Sequence, residues 1–226
     1  MIELKKILSA WNIDIDDKRS DLFERFYDLL IRYNEVMNLT TITRKDEVAS
    51  KHFADSIALL IYTDLTNRSL IDIGTGAGFP GIPIKIMCPD CEVVLVDSLK
   101  KRVGFLNEVI DELELSGISA VHGRAEDLAK DPKYRHSFDI VTSRAVSNLR
   151  TLSEYCLPFV KTGGSFISYK SGNIDDELDD SVNAICLLGG SINRSERFII
   201  PSTDYERTLI YIDKIKDTPD KYPRKA

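Results

Sequence analysis

The sequence of 226 residues contains no long uninterrupted apolar run, and its first twenty residues carry charges throughout. A membrane-spanning helix needs about 20 mainly apolar residues, and a signal peptide needs an apolar core of its own. Cysteine is scarce too, and the four cysteines lack the spacing of a small disulfide-stabilised secreted protein. We therefore expect a cytoplasmic protein that does not associate with membranes.

Clustered metal ligands are also missing. Cys88 and Cys91 have a spacing that is found in zinc sites, but no second pair follows. Local packing explains such an isolated pair more simply than a metal does. We predict that the protein holds no metal ion.

Positive charge is in deficit, because 30 lysines and arginines face 36 aspartates and glutamates, which gives a formal net charge of −6. This balance argues against indiscriminate binding to nucleic acids, which favours basic domains. It leaves room for a local basic patch. The end of the chain is one candidate, because five cations from Lys214 onward face only Asp217 and Asp220.

Apolar residues at helical spacing mark the first part of the chain. The stripe predicts a helix packed on the core, with Asp21 as its N-cap. A second helix is expected from Lys45 to Leu60. The members of the stripe are Leu22, Phe23, Phe26, Leu29, Leu30, Tyr33 and Met37.

From Leu70 onward, short β-branched runs alternate with helical segments. This alternation is typical of a mostly parallel sheet with helices on both faces, so we predict an α/β fold. The last two strands, Arg197–Ile200 and Thr208–Ile212, are expected to form a closing hairpin that carries one antiparallel strand. The other predicted strands are Leu70–Ile73, Val93–Val96, Ala120–Val121, Phe138–Thr142 and Ser165–Tyr169. The predicted helices are Ile82–Met87, Lys100–Leu113, Ala125–Leu128, Asn148–Phe159 and Ser181–Leu188.

These patterns also predict the organisation along the chain. Residues 1–66 form a helical N-terminal extension, and residues 67–226 form the domain that contains the sheet. A chain of this length and apolar content buries one sizeable core, and we find neither a long linker nor an internal repeat. We expect the two parts to make one structural unit.

The segment IDIGTGAGFP, residues 71–80, places three glycines directly after a predicted strand. It is not a phosphate-binding P-loop, because no Gly-Lys-Ser/Thr follows. A dinucleotide fingerprint that starts at Gly74 needs a glycine where Phe79 stands, and Phe79-Pro80 would crowd a pyrophosphate. We interpret the segment as a Gly-x-Gly-x-Gly loop whose backbone, at Gly74 and Gly76, approaches an uncharged or zwitterionic ligand such as S-adenosylmethionine.

Further candidate residues stand at the ends of the next predicted strands, where ligands bind in doubly wound folds. Asp97 follows the second strand and can accept hydrogen bonds from both hydroxyls of a ribose. Ala125 and Glu126 follow the third strand, and Arg144 follows the fourth, over the expected reaction centre. Singly, Asp97 is more simply a helix cap and Glu126 a first-turn acid, but together they indicate a nucleoside-binding cleft. NAD sites use the same acidic residue, so an NAD-dependent oxidoreductase stays open as an alternative.

Seven segments of the chain resemble, in order, the RsmG (GidB) family of methyltransferases: NLTTIT, HFADSIAL, IDIGTGAGFPGIPIKI, VVLVDSLKKRVGFL, GRAEDL, SRAV and TPDKYPRK. The likeness covers nearly the whole chain, and the combination of GTGAGFPG with RAE and SRAV is specific. The end of the sequence departs from the pattern. Similar proteins tend to continue past KYPRK into a short basic tail, whereas this sequence stops at Ala226.

The resemblance implies a Rossmann-like class I methyltransferase fold with a mostly parallel seven-stranded sheet. It implies transfer of a methyl group from S-adenosylmethionine to N7 of a guanosine in bacterial 16S ribosomal RNA. Carried over by position, it also implies cofactor contacts at Gly74, Phe79, Ala125, Glu126 and Arg144. The implied partner is 16S rRNA or the small ribosomal subunit, and we expect a monomer.

The residues after the fourth predicted strand agree with attack by a ring nitrogen. Exocyclic amines are commonly methylated with an Asp/Asn-Pro-Pro-aromatic motif, but Thr142-Ser143-Arg144 stands there instead. Methylation of a pyrimidine C5 needs a cysteine nucleophile near this loop, and Cys156 lies further on, inside a helical pattern. Guanine N7 is already nucleophilic and loses no proton, so we predict no catalytic base.

Three side chains are candidates for contact with RNA. His52 shares a helix face with Asp55, Lys170 ends the fifth predicted strand beside the cleft, and Arg224 lies with Lys225 in the basic tail. A local hydrogen bond, a solvated lysine and a frayed terminus are the simpler explanations. A non-catalytic ribosome-assembly factor, which binds the particle without S-adenosylmethionine, also stays open.

Overall fold

The computed structural model describes residues 1–144, 147–172 and 174–224. Its strands are β1 (Ser69–Ile73), β2 (Glu92–Asp97), β3 (Ile118–His122), β4 (Phe138–Arg144), β5 (Val160–Ser171), β6 (Gly190–Ile199) and β7 (Glu206–Lys214). They form one sheet in the order β3-β2-β1-β4-β5-β7-β6. The first five strands are parallel, and β7 is antiparallel to both β5 and β6. The predicted seven-stranded sheet with a closing hairpin is confirmed.

Strand β6 is longer than the sequence predicts. It begins at Gly190, whereas the predicted strand begins at Arg197. The difference arises because β6 is an edge strand with many exposed polar residues, and such a segment lacks a continuous apolar pattern.

The N-terminal part of the chain is helical up to the first strand. Helices α1 (Ile2–Ala10) and α2 (Asp17–Met37) come first, and α1 is not among the predicted helices. The predicted helix from Lys45 to Leu60 is a series of short turns with different hydrogen-bond patterns. They are α3 (Lys45–Val48), a π-helical segment (Ala49–Ala54), α4 (Asp55–Ile57) and a 3-10 segment (Ala58–Ile61).

The N-cap of α2 differs from the sequence prediction. Asp16, and not Asp21, is the cap, because its side chain accepts a hydrogen bond of 2.7 Å from the backbone N–H of Arg19. The prediction of Asp21 is wrong because the first helical turn contains only polar residues. The apolar stripe, which was the only periodic signal, begins one turn later.

The remaining helices alternate with the strands as predicted, although the last one begins at Asp175 and not at the predicted Ser181. Their bounds are α5 (Gly81–Met87), α6 (Lys100–Glu112), α7 (Ala125–Leu128), α8 (Leu149–Cys156) with a 3-10 turn (Leu157–Phe159), and α9 (Asp175–Leu187). Helix α9 begins with three acidic residues, a favourable arrangement for a helix dipole. Among the described residues, every helix is too short or too polar to cross a membrane.

Two apolar clusters cover the two faces of the sheet. One joins α1 and α2 to α5 and α6, and the buried rings of Phe23, Phe26 and Phe53 lie in it. The other joins α8 and α9 to the opposite face. The N-terminal helices therefore share a core with the sheet. Whether a domain boundary falls between residues 66 and 67 stays a prediction.

Candidate functional site

A cavity of about 450 Å³ lies at the carboxyl ends of the first four strands. Ligands bind at this edge in doubly wound folds because the loops that leave the strands converge there. Five of the seven predicted cofactor residues line it: Gly74, Asp97, Ala125, Glu126 and Arg144. Its other lining residues are Ile73, Val96, Ser98, Leu99, Arg102, Gly123, Arg124 and Tyr155.

The glycine loop forms one wall of the cavity through its first residue. Gly74 and Gly76 have φ angles of +72° and +61°, a region that L side chains rarely adopt. The N–H groups of Gly74 and Thr75 both donate to the carbonyl of Val96, which ties the loop to β2. Gly76 does not line the cavity. Its N–H donates to Oδ2 of Asp97 at 3.0 Å, so it acts on the site through that carboxylate.

The Asp97 carboxylate is 3% exposed and faces the cavity at the end of β2. Its Oδ1 accepts a hydrogen bond of 2.8 Å from the N–H of Leu99, and Arg102 lies 3.5 Å from Oδ2. An ionised carboxylate has about four acceptor positions, and the N–H groups of Leu99 and Gly76 occupy two of them. The contact with Arg102 is long, so the two hydroxyls of a ribose can take the remaining positions. The residue stabilises the turn before α6 and also fits a nucleoside ligand.

Ala125 and Glu126 begin α7 and form the wall next to β3. Glu126 is 6% exposed, and its Oε1 accepts a hydrogen bond of 3.0 Å from Nη2 of Arg124. The Arg124 side chain is largely exposed and also lines the cavity. This wall therefore presents a paired carboxylate and the backbone of Ala125 to a ligand.

Arg144 stands where the cavity meets the N-terminal helices. Its Nη1 donates to Oδ2 of Asp55 at 2.9 Å, and Nε of Arg207 donates to Oδ1 of the same carboxylate at 3.1 Å. Asp55 is 3% exposed, so one buried carboxylate holds two arginines from β4 and β7. The Arg144 guanidinium also lies 5.0 Å from the centre of the Phe79 ring.

Phe79 lies behind Arg144 and is not part of the cavity wall. It is 5% exposed and packs against Phe26 and Phe53. The ring of His52 stacks on Phe79 at 4.6 Å, and Nδ1 of His52 is 3.4 Å from Nη2 of Arg144. The Phe79 ring therefore supports the arginine, and the predicted contact between Phe79 and the cofactor stays a prediction.

His52 and Asp55 both contact Arg144. The hydrogen bond between His52 and Asp55, which their shared helix face suggested, is not formed between these two described residues. The Nε2 atom of His52 is 2.8 Å from Oγ1 of Thr40. Burial, together with the charge of Arg144, lowers the pKa of His52 to about 3. The imidazole is therefore neutral at physiological pH.

Lys170 has protein partners at the end of β5. Its Nζ donates to the carbonyl of Ser147 at 2.8 Å and to Oε1 of Glu177 at 2.7 Å. Glu177 also accepts from the N–H of Leu149, the first residue of α8. Lys170 thus links the end of β5 to Ser147 and, through Glu177, to the first residue of α8. The predicted contact between Lys170 and RNA phosphate stays a prediction.

The C-terminal segment is packed against the body of the protein as far as Arg224. The Arg224 guanidinium bonds to both carboxylate oxygens of Glu154, at 2.6 Å and 3.0 Å for the closest pairs, and these bonds lower the pKa of Glu154. Arg135 donates to the carbonyls of Thr218 and Tyr222. A frayed terminus is therefore excluded for this part, and Lys225 lies outside the described residues.

Lys214 does not belong to a surface patch. It ends β7, is 1% exposed, and donates to the carbonyl of Leu157 at 2.6 Å. Burial lowers its pKa to about 7. The positive charge of the tail is consequently smaller than the sequence indicates.

Sequence reasoning missed three groups at the site. Arg102 and Tyr155 line the cavity, and Arg207 holds Asp55. Arg102 lies five residues after Asp97 in the quoted segment VVLVDSLKKRVGFL, which is a usable signal. Tyr155 and Arg207 carry no local signal, because only the packing of α8 and β7 brings them to this edge.

The cysteines are all free, and within residues 1–144, 147–172 and 174–224 no group of three potential ligands could hold a metal ion. Cys156 is fully buried in α8, and burial raises the pKa of its thiol well above the usual value. It is not a cavity-lining residue.

Comparison with known proteins places this geometry in a family. The model of the GidB family, described as rRNA small subunit methyltransferase G, matches residues 19–198. The chain belongs to the rRNA small subunit methyltransferase G family. The resemblance noted in the sequence is thereby confirmed.

Curated relatives of the methyltransferase G family match over nearly the full length. Ribosomal RNA small subunit methyltransferase G of Lachnoclostridium phytofermentans is 52% identical over 218 residues, which cover 96% of this chain and 90% of the relative. The protein of the same name from Acetivibrio thermocellus is 48% identical, over 100% of this chain and 94% of the relative.

Solved structures share the fold at low identity. TYW2 of P. horikoshii in complex with MeSAdo has a TM-score of 0.56 and 12% identity, covering 71% of this chain and 61% of that one. A complex that contains the Haloferax volcanii Trm112 methyltransferase activator includes a chain with a TM-score of 0.62 and 12% identity, covering 83% and 98%. The predicted Rossmann-like methyltransferase fold is confirmed.

Membership of the methyltransferase G family identifies the chain as an S-adenosylmethionine-dependent methyltransferase. The cavity fits this cofactor, since it offers glycine backbone, a ribose acceptor at Asp97 and a second wall at Ala125 and Glu126. These findings favour the methyltransferase interpretation over an NAD-dependent oxidoreductase.

Proposed function

We propose that the protein transfers a methyl group from S-adenosylmethionine to N7 of a guanosine in 16S rRNA of the small ribosomal subunit. The observation that carries the proposal is the convergence of Gly74, Asp97, Glu126 and Arg144 on one cavity. The names of the relatives support the RNA substrate, because they are rRNA small subunit methyltransferases.

The surroundings of the cavity support a ring nitrogen as the acceptor. Among the described residues that line it there is no cysteine and no histidine, and the buried thiol of Cys156 is unsuited to attack a pyrimidine ring. The cofactor supplies an electrophilic methyl on a sulfonium. The task of the protein is then to hold that methyl in line with N7, and alignment of this kind lowers a barrier by about 7–11 kcal/mol at best.

The acceptor guanosine must be accessible from a loop or from an unpaired strand. In an RNA helix the N7 edge faces a major groove that is too deep and narrow for side chains. A base that is turned out of its stack can reach the edge of the cavity at Arg144. We therefore propose that His52, Lys170 and Arg224 act near the RNA, with His52 and Lys170 nearest to this edge.

The cofactor contacts are part of the proposal as well. Gly74, Asp97, Ala125, Glu126 and Arg144 contact the cofactor directly, and Gly76 and Phe79 contribute through Asp97 and Arg144. We further propose that the protein acts as a monomer in the cytoplasm, where its ribosomal substrate is found.

The proposal is tested with small ribosomal subunits from cells that lack this gene. The protein is incubated with these subunits, and separately with 16S rRNA extracted from them. We expect label from S-adenosylmethionine to appear as N7-methylguanosine in the digested RNA. Label on another atom contradicts the N7 assignment. Binding of the particle without transfer, and without affinity for S-adenosylhomocysteine, identifies an assembly factor instead, and affinity for NAD identifies an oxidoreductase.

Single-turnover kinetics test the absence of a catalytic base. Guanine N7 loses no proton, and His52 stays neutral because its pKa is about 3. With both substrates saturating, we expect a nearly constant rate between pH 7 and pH 8.5. A rate that rises tenfold per pH unit would argue for a titrating base and against N7.

A further inference from the structure

Three consecutive cations occupy the first turn of α6, directly after the residues that line the cavity. Lys100, Lys101 and Arg102 stand there, and the turn contains no acidic residue. The amino end of a helix carries a partial positive charge, so this placement of cations is electrostatically unfavourable. An arrangement that breaks a local rule without a local gain indicates a functional requirement.

Two of these cations are free to meet a ligand. Lys100 and Lys101 are exposed, and neither ammonium has an ion-pair partner among the described residues. Arg102 differs, because it pairs with Asp97 at 3.5 Å and lines the cavity. We call Lys100 and Lys101 the lysine ridge.

The lysine ridge lies outside the cavity and does not serve the cofactor. Neither lysine is a lining residue, although Leu99 and Arg102 on both sides of them are. The side chain of Leu99 is 43% exposed, which places an apolar contact beside the two charges. The rim is locally cationic in an acidic molecule. Arg102, Arg124 and Arg144 each pair with a carboxylate, which leaves the two charges of the lysine ridge uncompensated among the described residues.

The spacing of the lysines favours an extended polyanion. Successive residues of a helix point about 100° apart, so two neighbouring ammonium groups do not converge on one small anion. They are suited to two successive phosphates of a strand that passes over the rim. RNA carries a phosphate at each nucleotide, and its electrostatic attraction to lysine is independent of sequence.

We propose that the lysine ridge binds the phosphate backbone of small-subunit RNA beside the nucleotide that enters the site. This inference rests on the proposed rRNA substrate and names the surface that holds it. The interaction is local, which explains how a protein with a net charge of −6 holds a polyanion.

The test compares the variant K100Q/K101Q with the wild type. Each lost phosphate contact reduces the log–log salt slope of RNA binding by about 0.7–0.9, which corresponds to about five- to eightfold weaker binding at 0.1 M salt. We expect a slope smaller by about 1.4–1.8, a higher KM for RNA and an unchanged kcat. Affinity for S-adenosylhomocysteine should not change.

Lys18→Gln is the matched control for the single variants K100Q and K101Q. Lys18 is also an exposed lysine in the first turn of a helix, without an ion-pair partner among the described residues. It lines a different cavity, together with Leu113 and Ser116 near the opposite end of α6. We expect Lys18→Gln to leave the salt slope unchanged. An equal loss in all three single variants shows an effect of total charge and overturns the proposal.

Thermal unfolding separates binding from folding. Because the helix dipole disfavours cations at this turn, K100Q/K101Q should unfold at the wild-type temperature or above it. A parallel fall in Tm and RNA affinity indicates a structural role, and an unchanged salt slope also overturns the inference. If K100Q/K101Q binds assembled subunits more weakly but binds protein-free RNA as the wild type does, the two lysines contact a ribosomal protein and the inference is overturned.

The proposed function and the lysine ridge fail in different ways. If the wild type transfers no methyl group, the proposed function fails, and RNA binding by the variants still tests the lysines. If the wild type methylates RNA and K100Q/K101Q does so with the same KM and the same salt slope, only the lysine ridge is refuted.

Discussion

Asp55 connects the N-terminal helices to the cavity through a single carboxylate. It accepts hydrogen bonds from Arg144 and Arg207, so three charged groups with a net charge of +1 meet in a largely buried position. The positive surroundings help to keep His52 neutral. The orientation of Arg144 therefore depends on a residue outside the sheet.

Asp55→Asn is expected to impair the site as well as the fold. The amide cannot accept from both arginines, and loss of a buried ionic partner destabilises proteins by about 3–5 kcal/mol when the remaining charge is fully buried. Both guanidiniums here retain some exposure, so we expect about 2–3 kcal/mol in denaturant unfolding. Affinity for S-adenosylhomocysteine, measured by titration, should fall about tenfold.

Arg207→Gln is the comparison for Asp55→Asn. It removes the second arginine and leaves the bond between Arg144 and Asp55 in place. We expect it to reduce stability with little effect on cofactor affinity. Equal losses of affinity in both variants would contradict a specific role for Asp55 in positioning Arg144.

Gly74→Ala tests the first residue of the glycine loop. The residue has a φ of +72° and lines the cavity, so a side chain costs about 1–2 kcal/mol of backbone strain at the wall of the ligand site. We expect at least a tenfold loss of affinity for S-adenosylhomocysteine. Gly163→Ala is the control, because Gly163 has a φ of +86° and an open surrounding far from the cavity. If Gly74→Ala had the stability of Gly163→Ala and bound S-adenosylhomocysteine as tightly as the wild type, the placement of Gly74 beside the cofactor would be refuted.

At the scale of elements, the helical stretch before the sheet shows how packing changes a local pattern. A π-helical segment at Ala49–Ala54 interrupts the predicted helix and contains His52. Such segments often occur at functional sites. The apolar residues of this stretch face the core, as those of a regular α-helix would. Their periodicity alone therefore does not reveal the change in hydrogen bonding.

The cap of α2 provides a prediction at this scale. Asp16→Ala removes the hydrogen bond to the N–H of Arg19 and should lower the free energy of unfolding by about 1 kcal/mol. Asp21→Ala should change it by less than about 0.5 kcal/mol, because Asp21 is an exposed residue inside the helix. Urea unfolding of both variants measures the difference. The reverse order would restore Asp21 as the cap.

At the scale of the whole molecule, two carboxylates, Asp72 and Asp139, have opposite effects on how the free energy of unfolding depends on pH. Burial raises the pKa of Asp72 to about 6, although Gly81 and Thr142 donate hydrogen bonds to it. Asp139 is also partly buried, but hydrogen bonds from Lys161 and Ser69 hold its pKa well below the usual range. Asp72 therefore opposes folding once it ionises, whereas ionised Asp139 favours it.

Asp72→Asn should gain stability relative to the wild type as the pH rises. Between its usual pKa of about 3.9 and the folded value of about 6, native Asp72 binds more protons than unfolded Asp72, so wild-type stability falls with rising pH. From pH 4.5 to pH 7 the difference should grow by about 2 kcal/mol in urea unfolding. Asp139→Asn should show a nearly constant difference over this range. A constant difference for Asp72→Asn would contradict the raised pKa.

The sequence alone determined the sheet, the order of its strands and helices, and the family. The β-branched runs at Leu70–Ile73 and Val93–Val96 are buried on both faces, so their composition identifies them without tertiary information. The sequence also predicted that five candidate residues at the ends of the strands meet at one cavity, because the parallel topology brings the carboxyl ends of neighbouring strands to one edge.

Only the tertiary structure decided which side chains meet there and what compensates their charges. The bonds from Asp55 to Arg144 and to Arg207 span 89 and 152 residues, distances over which a linear pattern has no periodicity to exploit. The same holds for Lys170 and Arg224, which the sequence presents as free cations and the fold pairs with Glu177 and Glu154. Charge in the sequence is local, but its neutralisation depends on packing between elements that are distant along the chain.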